Sequence, residues 1–473
     1  LVDGEAFNRD TDDVLRALQV RQLTEGWAWF DRTIAGIAMP EPYQSPWSRL
    51  VDLPYAALGS LLSPLLGRDQ GLAVAFMMLP PLKGALYAVF AMATLRRLLP
   101  AARQFPPPLI GGMLILMVPG LWEYSPGRID HHNVQILLLV LAMYGASRFD
   151  RLGGALVGAA AALSVAVGLE TLPVLFAGLA GLVLCWSAGL AGSGVVLRAC
   201  GLTCAAFTIA LAILLIAPAD YLLARNDTFS APYAEALTGF GIIAALLAGP
   251  RLDRTGSATR LALMAGAGVL LLSGIVVQYP TLLDGPFPML DGLAKRYWFD
   301  RIEQERSALV FFQTGNSMAL FLLWAMAVIL ALAVPPALTA LRGGKAGTGL
   351  VWTIALGALL MALLSSRFSR IALTVVPLML PLAFDCVRRI LQARHRNGAA
   401  PLVVLSFGVV LVPLAIAAPQ RTFDAYDFLL INRCEGQDFS ALDRIAPARL
   451  MTPPALGLEI LRQNRPAITV SSI

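Results

Sequence analysis

The segment 152–187 has the sequence LGGALVGAAAALSVAVGLETLPVLFAGLAGLVLCWS. It consists of two apolar runs joined by a short turn that contains Glu170. Runs of about 17–25 apolar residues are long enough to cross the hydrocarbon core of a membrane as helices. The pattern therefore predicts two consecutive membrane-spanning helices, and similar apolar runs recur along the rest of the chain.

The composition supports the same interpretation. Of the 473 residues, 57% are hydrophobic and 14% are charged, whereas ordinary soluble domains carry about 25% charged residues. The mean hydropathy of +0.70 is too high for a soluble protein of this size. The net charge of +6 does not come from dense Lys/Arg runs with interleaved aromatic residues, so we expect membrane lipids, and no nucleic acid, as partners.

The apolar runs predict an all-α polytopic membrane protein with about twelve spanning helices. These are expected at 71–95, 106–121, 133–148, 152–168, 171–187, 197–217, 232–249, 261–278, 309–338, 349–364, 371–387 and 400–418. The stretch 53–66 is shorter and contains two prolines, which favours an interfacial helix. Because the first 45 residues are polar and aromatic, we also expect a spanning helix upstream of residue 1, which would be the thirteenth.

The positive charges of the short loops predict the orientation, because Lys and Arg concentrate on the cytoplasmic side of a membrane. They concentrate in five of the six alternate connections between the predicted helices, near 96–103, 148–151, 251–260, 342–345 and 388–396. The intervening segments then face outward. This interpretation gives a first outer loop with interfacial helices at 1–70, a transmembrane domain at 71–418, a long outer loop at 279–308 and a short outer tail at 419–473.

Residues 127–133 have the sequence GRIDHHN and lie just before a predicted helix, on the outer face. Asp130 and His132 are two residues apart and could both reach one divalent cation. An imidazole among oxygen ligands favours Mn²⁺ over Mg²⁺. The alternative is a helix cap, in which Asp130 or Asn133 satisfies free backbone N–H groups.

A second acidic group, Asp10-Thr11-Asp12-Asp13, lies in the first outer segment. A cation at Asp130 and His132 needs further oxygen ligands from elsewhere in the chain, which this group could supply. The alternative is an amphipathic helix that begins at Thr11 or Asp12 and carries its acids at the favourable N-terminal end.

Charged residues at membrane depth are costly in lipid, so they usually face a cavity or a partner. Glu170 interrupts an apolar sequence and is a candidate cavity residue. Arg367 lies at the outer end of a predicted helix, and its guanidinium suits a phosphate geometrically; Arg128 and His131 are further candidates for phosphate binding. Arg367 could equally be an interfacial anchor whose charge reaches the headgroups.

The order of these features resembles the membrane domain of the oligosaccharyltransferase catalytic subunit, within the GT-C glycosyltransferase superfamily. The segment 21–31, RQLTEGWAWFD, is similar to the family's Arg-x-Leu-x-x-x-Gly segment that leads into Trp-x-Trp-Phe-Asp. Asp130-His131-His132 is similar to the Asp-x-His of archaeal members, and Ser366-Arg367-Phe368 to the family's Arg-Phe donor motif. The local matches extend over most of the chain.

The resemblance implies a GT-C fold with a catalytic aspartate in the first outer loop. The family's spacing, counted back from Arg21, places this aspartate at Asp12, with Asp13 one step away. The long outer loop before the tenth family helix implies an acceptor-loop carboxylate, which is either Glu303 or Glu305.

The resemblance also implies a reaction. It is the metal-dependent, inverting transfer of a sugar or oligosaccharide from a polyprenyl-(di)phosphate donor, which we expect in a bacterial inner membrane with the active site facing the periplasm. Asp12, Asp130 and His132 would hold the cation, Mn²⁺ rather than Mg²⁺, and Arg367 would contact the donor phosphate.

Two further expectations concern the acceptor and the class of protein. The family's Trp-Trp-Asp motif, which recognises the acceptor sequon, is absent from the sequence, so the acceptor is expected to be a lipid, a glycan or another protein site. The alternative function is a transporter or flippase for a lipid-linked or anionic substrate, because the same charged residues could form a substrate path.

Overall fold

The computed structural model describes residues 11–39, 41–99, 107–285, 292–297, 299, 302–393, 439–444, 449–451, 457, 460 and 469–471. Helices dominate these residues, which confirms the predicted α-helical membrane fold. Eleven of the twelve predicted spans coincide with helices, and the twelfth, 400–418, lies outside the described residues.

The helices are α1 (Thr11–Thr24), α2 (Arg49–Leu66), α3 (Arg68–Leu98), α4 (Pro107–Leu121), α5 (His132–Arg148), α6 (Arg151–Val167), α7 (Leu172–Ser187), α8 (Ser193–Leu215), α9 (Ala231–Leu247), α10 (Ser257–Gln278), α11 (Gly292–Tyr297), α12 (Leu309–Thr314), α13 (Ser317–Arg342), α14 (Ala346–Leu364), α15 (Ser369–Val375) and α16 (Leu380–Ala393).

Seven of the described helical segments are long and apolar enough to cross a membrane by length and composition. They are Arg68–Leu98, Leu169–Ser187, Ser193–Leu215, Ser257–Gln278, Ser317–Arg342, Ala346–Leu364 and Ser366–Gln392. Three shorter apolar helices lie at Leu109–Tyr124, Arg151–Val167 and Ala231–Leu247. The protein is therefore an integral membrane protein.

Two of the predicted spans are interrupted. The span 309–338 is divided at Gly315, which has a left-handed backbone with φ of 68°, and at Asn316, whose side chain caps α13. The span 371–387 is divided by a 3-10 turn that contains Pro377, a residue without a backbone N–H. Both breaks have local causes, which the mean hydropathy of a window of about 20 residues does not detect.

A small sheet adds to the predicted all-α architecture. It consists of β1 (Thr33–Met39), β2 (Glu41–Gln44), β3 (Arg449–Met451) and β4 (Thr469–Ser471), in the order β2-β1-β4-β3. β1 pairs antiparallel with β2 and parallel with β4, and β3 pairs parallel with β4. β4 has three residues, and its partner β1 lies more than 400 residues away in the chain, so no local sequence pattern predicts this pairing.

The chain forms two compact units. The first unit comprises 1–83, 123–133 and 422–473, and the second comprises 84–122 and 134–421. The first unit contains α1, α2 and the GRIDHHN motif, so most of the predicted site residues belong to it.

In the second unit, α6, α8 and α9 approach one another closely through glycines. A Cβ atom added at Gly158 would collide with the carbonyl oxygen of Cys200 on α8. A Cβ atom added at Gly201 would lie 2.5 Å from the carbonyl oxygen of Gly241 on α9. In lipid, the hydrophobic effect does not drive one apolar helix against another, because lipid tails are equally apolar. Van der Waals contact between closely packed backbones therefore stabilises the helix pairs.

We expect Gly158→Val to lower the thermal unfolding midpoint of the detergent-solubilised protein by about 3 °C or more, because the new side chain must separate α6 from α8. Gly268→Val on α10 is the matched control, since a Cβ atom at Gly268 meets nothing within 4 Å. Equal midpoints for the two variants would contradict the packing role of Gly158.

Candidate active site

Asp13, on the first turn of α1, fixes the backbone of the GRIDHHN motif. Its Oδ1 atom accepts hydrogen bonds from the backbone N–H groups of Ile129, at 2.9 Å, and Asp130, at 3.0 Å. Its Oδ2 atom lies 2.5 Å from Nη1 of Arg128. Both oxygens of this fully buried carboxylate are therefore used to hold the loop.

Arg128 is buried between two carboxylates. Besides its contact with Asp13, its Nε atom lies 3.2 Å from Oε2 of Glu123. Arg128 was a candidate for phosphate binding by sequence. In the structure two carboxylates compensate its buried charge, and phosphate binding by Arg128 stays a prediction.

Arg16 and Asp52 connect α1 to α2. Arg16 lies three residues after Asp13, on the same face of α1, and its Nη1 atom is 2.8 Å from Oδ1 of Asp52. Oδ2 of Asp52 accepts hydrogen bonds from Nε2 of Gln19, at 2.5 Å, and Nη1 of Arg49, at 3.3 Å. These side chains are all buried, so the network gives α1 a defined position against α2.

The two oxygens of Asp130 have different surroundings. Oδ1 accepts a hydrogen bond from the backbone N–H of His131 and lies 2.6 Å from Nδ1 of the same residue, with Nη2 of Arg16 at 3.9 Å. Oδ2 is buried and accepts no hydrogen bond from the residues that the structure describes, while Nε2 of His132 lies 3.4 Å from it. Oδ2 is thus the oxygen of Asp130 that can take a ligand.

The surroundings keep Asp130 ionised. Burial alone would raise the pKa of this carboxyl group, because it penalises the charged form. The imidazoles of His131 and His132 and the guanidinium of Arg16 act in the opposite direction and hold the pKa of Asp130 well below its usual range. Asp130 therefore presents a negative charge at neutral pH.

His131 is packed within the same cluster. Its ring centroid lies 6.0 Å from that of Trp47 and 4.4 Å from that of His132, and its Nδ1 atom is 3.4 Å from Nη2 of Arg16. The sequence made His131 a candidate for phosphate binding. In the structure its Nδ1 atom orients Oδ1 of Asp130, and phosphate binding by His131 stays a prediction.

The predicted convergence of Asp12, Asp130 and His132 on one cation is not found. Across the described ranges, no three or more His, Cys, Asp or Glu side chains are grouped so that they could hold a metal ion. Asp130 and His132 face each other, but Asp12 is half-buried and does not join them in such a group. The helix explains this, because successive side chains point about 100° apart around its axis and Asp13 takes the inward position.

In the second unit, Arg367 and Glu305 form an ion pair. Nη1 of Arg367 lies 2.5 Å from Oε1 of Glu305, and both side chains are partly exposed. The hydroxyl groups of Ser365 and Ser366 donate to the carbonyl oxygen of Gln304, at 3.1 and 3.3 Å. The end of the long outer loop is therefore attached to the turn between α14 and α15, which brings two predicted site residues together.

The two remaining candidate carboxylates differ in what the structure describes. Glu303 lies in the 3-10 turn 303–305, but its side chain is outside the described part of the protein. Glu170 lies in the turn between α6 and α7, where its Oε2 atom accepts a hydrogen bond from Nε2 of Gln135 on α5 at 2.5 Å. Glu170 is thus held by a neighbouring helix of its own unit.

Sequence reasoning did not assign Arg16, Arg49 or Asp52 to the site. The usable signal was spacing, because Asp13 and Arg16 on α1, and Arg49 and Asp52 on α2, are each three residues apart and therefore share a helix face. What could not be recognised locally is that the two faces meet.

Comparison with known proteins places the fold. No family model and no curated protein matches the chain. Among solved structures, the archaeal oligosaccharyltransferase AglB from Archaeoglobus fulgidus, in complex with an inhibitory peptide and a dolichol-phosphate, is similar with a TM-score of 0.61 and 14% identity. That match covers 91% of this chain and 54% of AglB.

Two further structures of the Archaeoglobus fulgidus enzyme agree. The apo form has a TM-score of 0.59 at 14% identity and covers 98% of this chain and 60% of that one. A complex with Zn and sulfate has a TM-score of 0.54 at 14% identity and covers 91% of this chain and 52% of that one. The chain thus spans little more than half the length of these enzymes, and the likeness confirms the predicted GT-C fold of the oligosaccharyltransferase membrane domain.

We expect Asp13→Asn to destabilise the protein by about 3 kcal/mol, because it leaves Arg128 buried against a single remaining carboxylate, Glu123. The control is Asp69→Asn, since Asp69 pairs with Arg21 on the surface and is 79% exposed. The control should cost about 1 kcal/mol or less. Denaturant unfolding in detergent measures both, and equal stability of the two variants would contradict the role of Asp13.

Proposed function

We propose that this protein is a GT-C type glycosyltransferase that moves a sugar from a polyprenyl-(di)phosphate donor to an acceptor. The observation that carries the proposal is the buried, ionised Asp130, whose Oδ2 atom accepts no hydrogen bond from the described residues and faces His132. The fold supports it, because the similar solved structures are oligosaccharyltransferases and one of them is bound to a dolichol-phosphate.

The residues fit a divalent cation as a pair of ligands. One of the similar structures is a complex with Zn and sulfate. In this chain, a carboxylate oxygen and an imidazole nitrogen lie 3.4 Å apart, and this mixed pair suits Mn²⁺ better than Mg²⁺. We assign the cation to Asp130 and His132, with water and donor phosphate completing its shell. When bound, it would supply Lewis-acid stabilisation of the leaving phosphate.

The neighbouring residues of the first unit would orient this pair. The His131 ring and backbone N–H hold Oδ1 of Asp130, which leaves Oδ2 directed at His132. Such outer contacts fix the geometry of metal ligands and adjust their basicity. Arg16 stabilises the ionised form of Asp130, the form that a cation requires.

Of the two candidate carboxylates on α1, we propose Asp12 as the one that acts on the acceptor. Both oxygens of Asp13 contact Arg128 or backbone N–H groups. Protonation of Asp13 would therefore disrupt the hydrogen bonds that hold the GRIDHHN motif. Asp12 is half-buried on the same helical turn. A carboxylate there could orient or deprotonate an acceptor hydroxyl or amide.

We propose that Arg367 binds a phosphate oxygen of the donor and that Glu305 is the acceptor-loop carboxylate. The guanidinium of Arg367 is of the right type, since it can present two parallel N–H groups to a phosphate. Its present partner is Glu305, so donor binding would exchange a carboxylate for a phosphate at the same guanidinium.

The donor is proposed to be lipid-linked, on the outer face of a bacterial inner membrane, because the positions of the Lys- and Arg-rich connections predict that the candidate residues lie opposite the cytoplasm. A sugar on that face must arrive on a flipped lipid rather than on a cytoplasmic nucleotide. We further propose that the transfer inverts the configuration at the anomeric carbon. The proposed acceptor is a lipid, a glycan or a protein.

We expect His132→Ala and Asp130→Asn to reduce sugar transfer from a panel of polyprenyl-phosphate and -diphosphate sugars by a factor of at least 100, because each loses a ligand that stabilises the transition state. His131→Ala should be milder, and Asp69→Asn should match the parent. Product mass spectrometry across a Mn²⁺ titration in nanodiscs gives the measurement. Parent-like transfer by both ligand variants at limiting metal, or lipid movement across vesicles without transfer, would refute the proposal.

We expect Glu305→Gln to separate the kinetic constants. Removing the carboxylate that competes for Arg367 should lower KM for the donor several-fold, whereas kcat should fall if Glu305 acts on the acceptor. Initial rates over a donor concentration series measure both. An unchanged KM would show that the ion pair with Arg367 does not oppose donor binding.

A further inference from the structure

One positive charge of the first unit lies apart from the ion pairs described above. Lys83 is on α3, and its Nζ atom donates to Oη of Tyr55 at 2.8 Å and to Oδ1 of Asn133 at 3.1 Å. The ammonium also lies 4.4 Å from the centre of the Tyr55 ring. Among the residues that the structure describes, no carboxylate forms an ion pair with Lys83.

Neither partner neutralises the ammonium. Burial raises the pKa of Tyr55, so the phenol stays protonated and uncharged. Asn133 is neutral, and its Nδ2 atom donates to the carbonyl oxygen of Arg128 at 2.8 Å, which fixes the amide with its oxygen towards Lys83. An ammonium has three donors, and these two contacts use two of them. One N–H group therefore remains for a further acceptor.

Three buried arginines of the same unit have carboxylate partners, unlike Lys83. Arg16 and Arg49 are paired with Asp52, and Arg128 with Asp13. Lys83 lies in a helix long and apolar enough to span a membrane, where a positive charge without an ion-pair partner is costly and marks a functional position. An anion supplied by a ligand would compensate it.

The surroundings of Lys83 suit an anion that carries an apolar chain. Lys83 is half-buried, and the centre of the Tyr55 ring, 4.4 Å from its Nζ atom, lies 5.7 Å from the centre of the Phe76 ring. Aromatic surface therefore borders the ammonium. On its other side, Asn133 directly follows His132, so Lys83 is tied to the end of the loop that carries the proposed metal ligands.

We propose that Lys83 binds a phosphate oxygen of a polyprenyl-linked phosphate. The inference rests on the proposed function and adds a recognition residue for its donor. Phosphate is the shared chemistry of this lipid, of bulk phospholipids and of free phosphate; the aromatic surface beside Lys83 favours the unsaturated polyprenyl chain.

The test is binding of farnesyl phosphate to the purified protein in detergent, compared with farnesol, inorganic phosphate and phosphatidylglycerol. We expect Lys83→Met to weaken farnesyl phosphate binding about tenfold or more, the loss typical of one charge-assisted hydrogen bond. Lys83→Arg should bind within about threefold of the parent, because it keeps the charge. Lys345→Met is the matched control: it removes an exposed lysine from a connection predicted to be cytoplasmic and should leave phosphate binding nearly unchanged.

The outcomes separate the two proposals. If the parent binds farnesyl phosphate and Lys83→Met binds it equally well, Lys83 is not the phosphate ligand, although the proposed function stands. Equal losses for farnesol and farnesyl phosphate would make Lys83 a structural residue. Tighter binding of inorganic phosphate or phosphatidylglycerol than of farnesyl phosphate would overturn the choice of ligand. A parent that binds no polyprenyl phosphate contradicts the proposed function and this inference together.

A measurement on the unmodified protein covers the case in which Lys83→Met does not fold. Farnesyl phosphate should protect Lys83 from acylation by a membrane-permeant amine reagent, as read by peptide mass spectrometry, and farnesol should not. The exposed Lys295 on α11 is the internal control, and its labelling should not change. Equal labelling of Lys83 with and without farnesyl phosphate would overturn the proposal.

Discussion

The candidate site depends on one interaction, the hydrogen bonds from the backbone of the GRIDHHN motif to the carboxylate of Asp13. Two consecutive N–H groups, those of Ile129 and Asp130, point at one oxygen, and Arg128 occupies the other. These contacts fix the backbone of the turn immediately before α5. They therefore also fix the directions in which the side chains of Asp130 and His132 point. A buried carboxylate is costly unless it is paired and fully hydrogen-bonded, and here both conditions are met.

The asymmetry of Asp130 follows from that constraint. With the backbone held by Asp13, the His131 N–H and ring both reach Oδ1, and Arg16 approaches the same side. Oδ2 is left facing His132. One oxygen is therefore engaged in holding the side chain and the other can take a ligand, which is the division of roles that ligating carboxylates commonly show. A simple N-cap would use the carboxylate on the N–H groups of its own helix, whereas Oδ2 of Asp130 accepts no hydrogen bond from the described residues.

The second unit uses different means. Its helices α6, α8 and α9 pack through glycine contacts rather than through charges, as expected where lipid surrounds the helices. Its polar contacts concentrate at helix ends, where Gln135 holds Glu170 and Glu305 pairs with Arg367. Partly exposed ion pairs of this kind contribute little stability and are easily exchanged for another anion. The proposed binding of donor phosphate at Arg367 requires such an exchange.

The sequence by itself determined the fold class, the positions of most apolar helices and the loops that carry ionisable residues, because hydropathy over about 20 residues is a local property. It also singled out Asp130 and His132, which are neighbours in the chain. Only the tertiary structure decided that Asp13, rather than Asp12, turns inward, that Arg16 and Asp52 join α1 to α2, and that Arg128 is placed between two carboxylates. It likewise decided the small sheet. These depend on which helix faces meet and on pairings across more than 100 residues, and no local pattern of residue types specifies either.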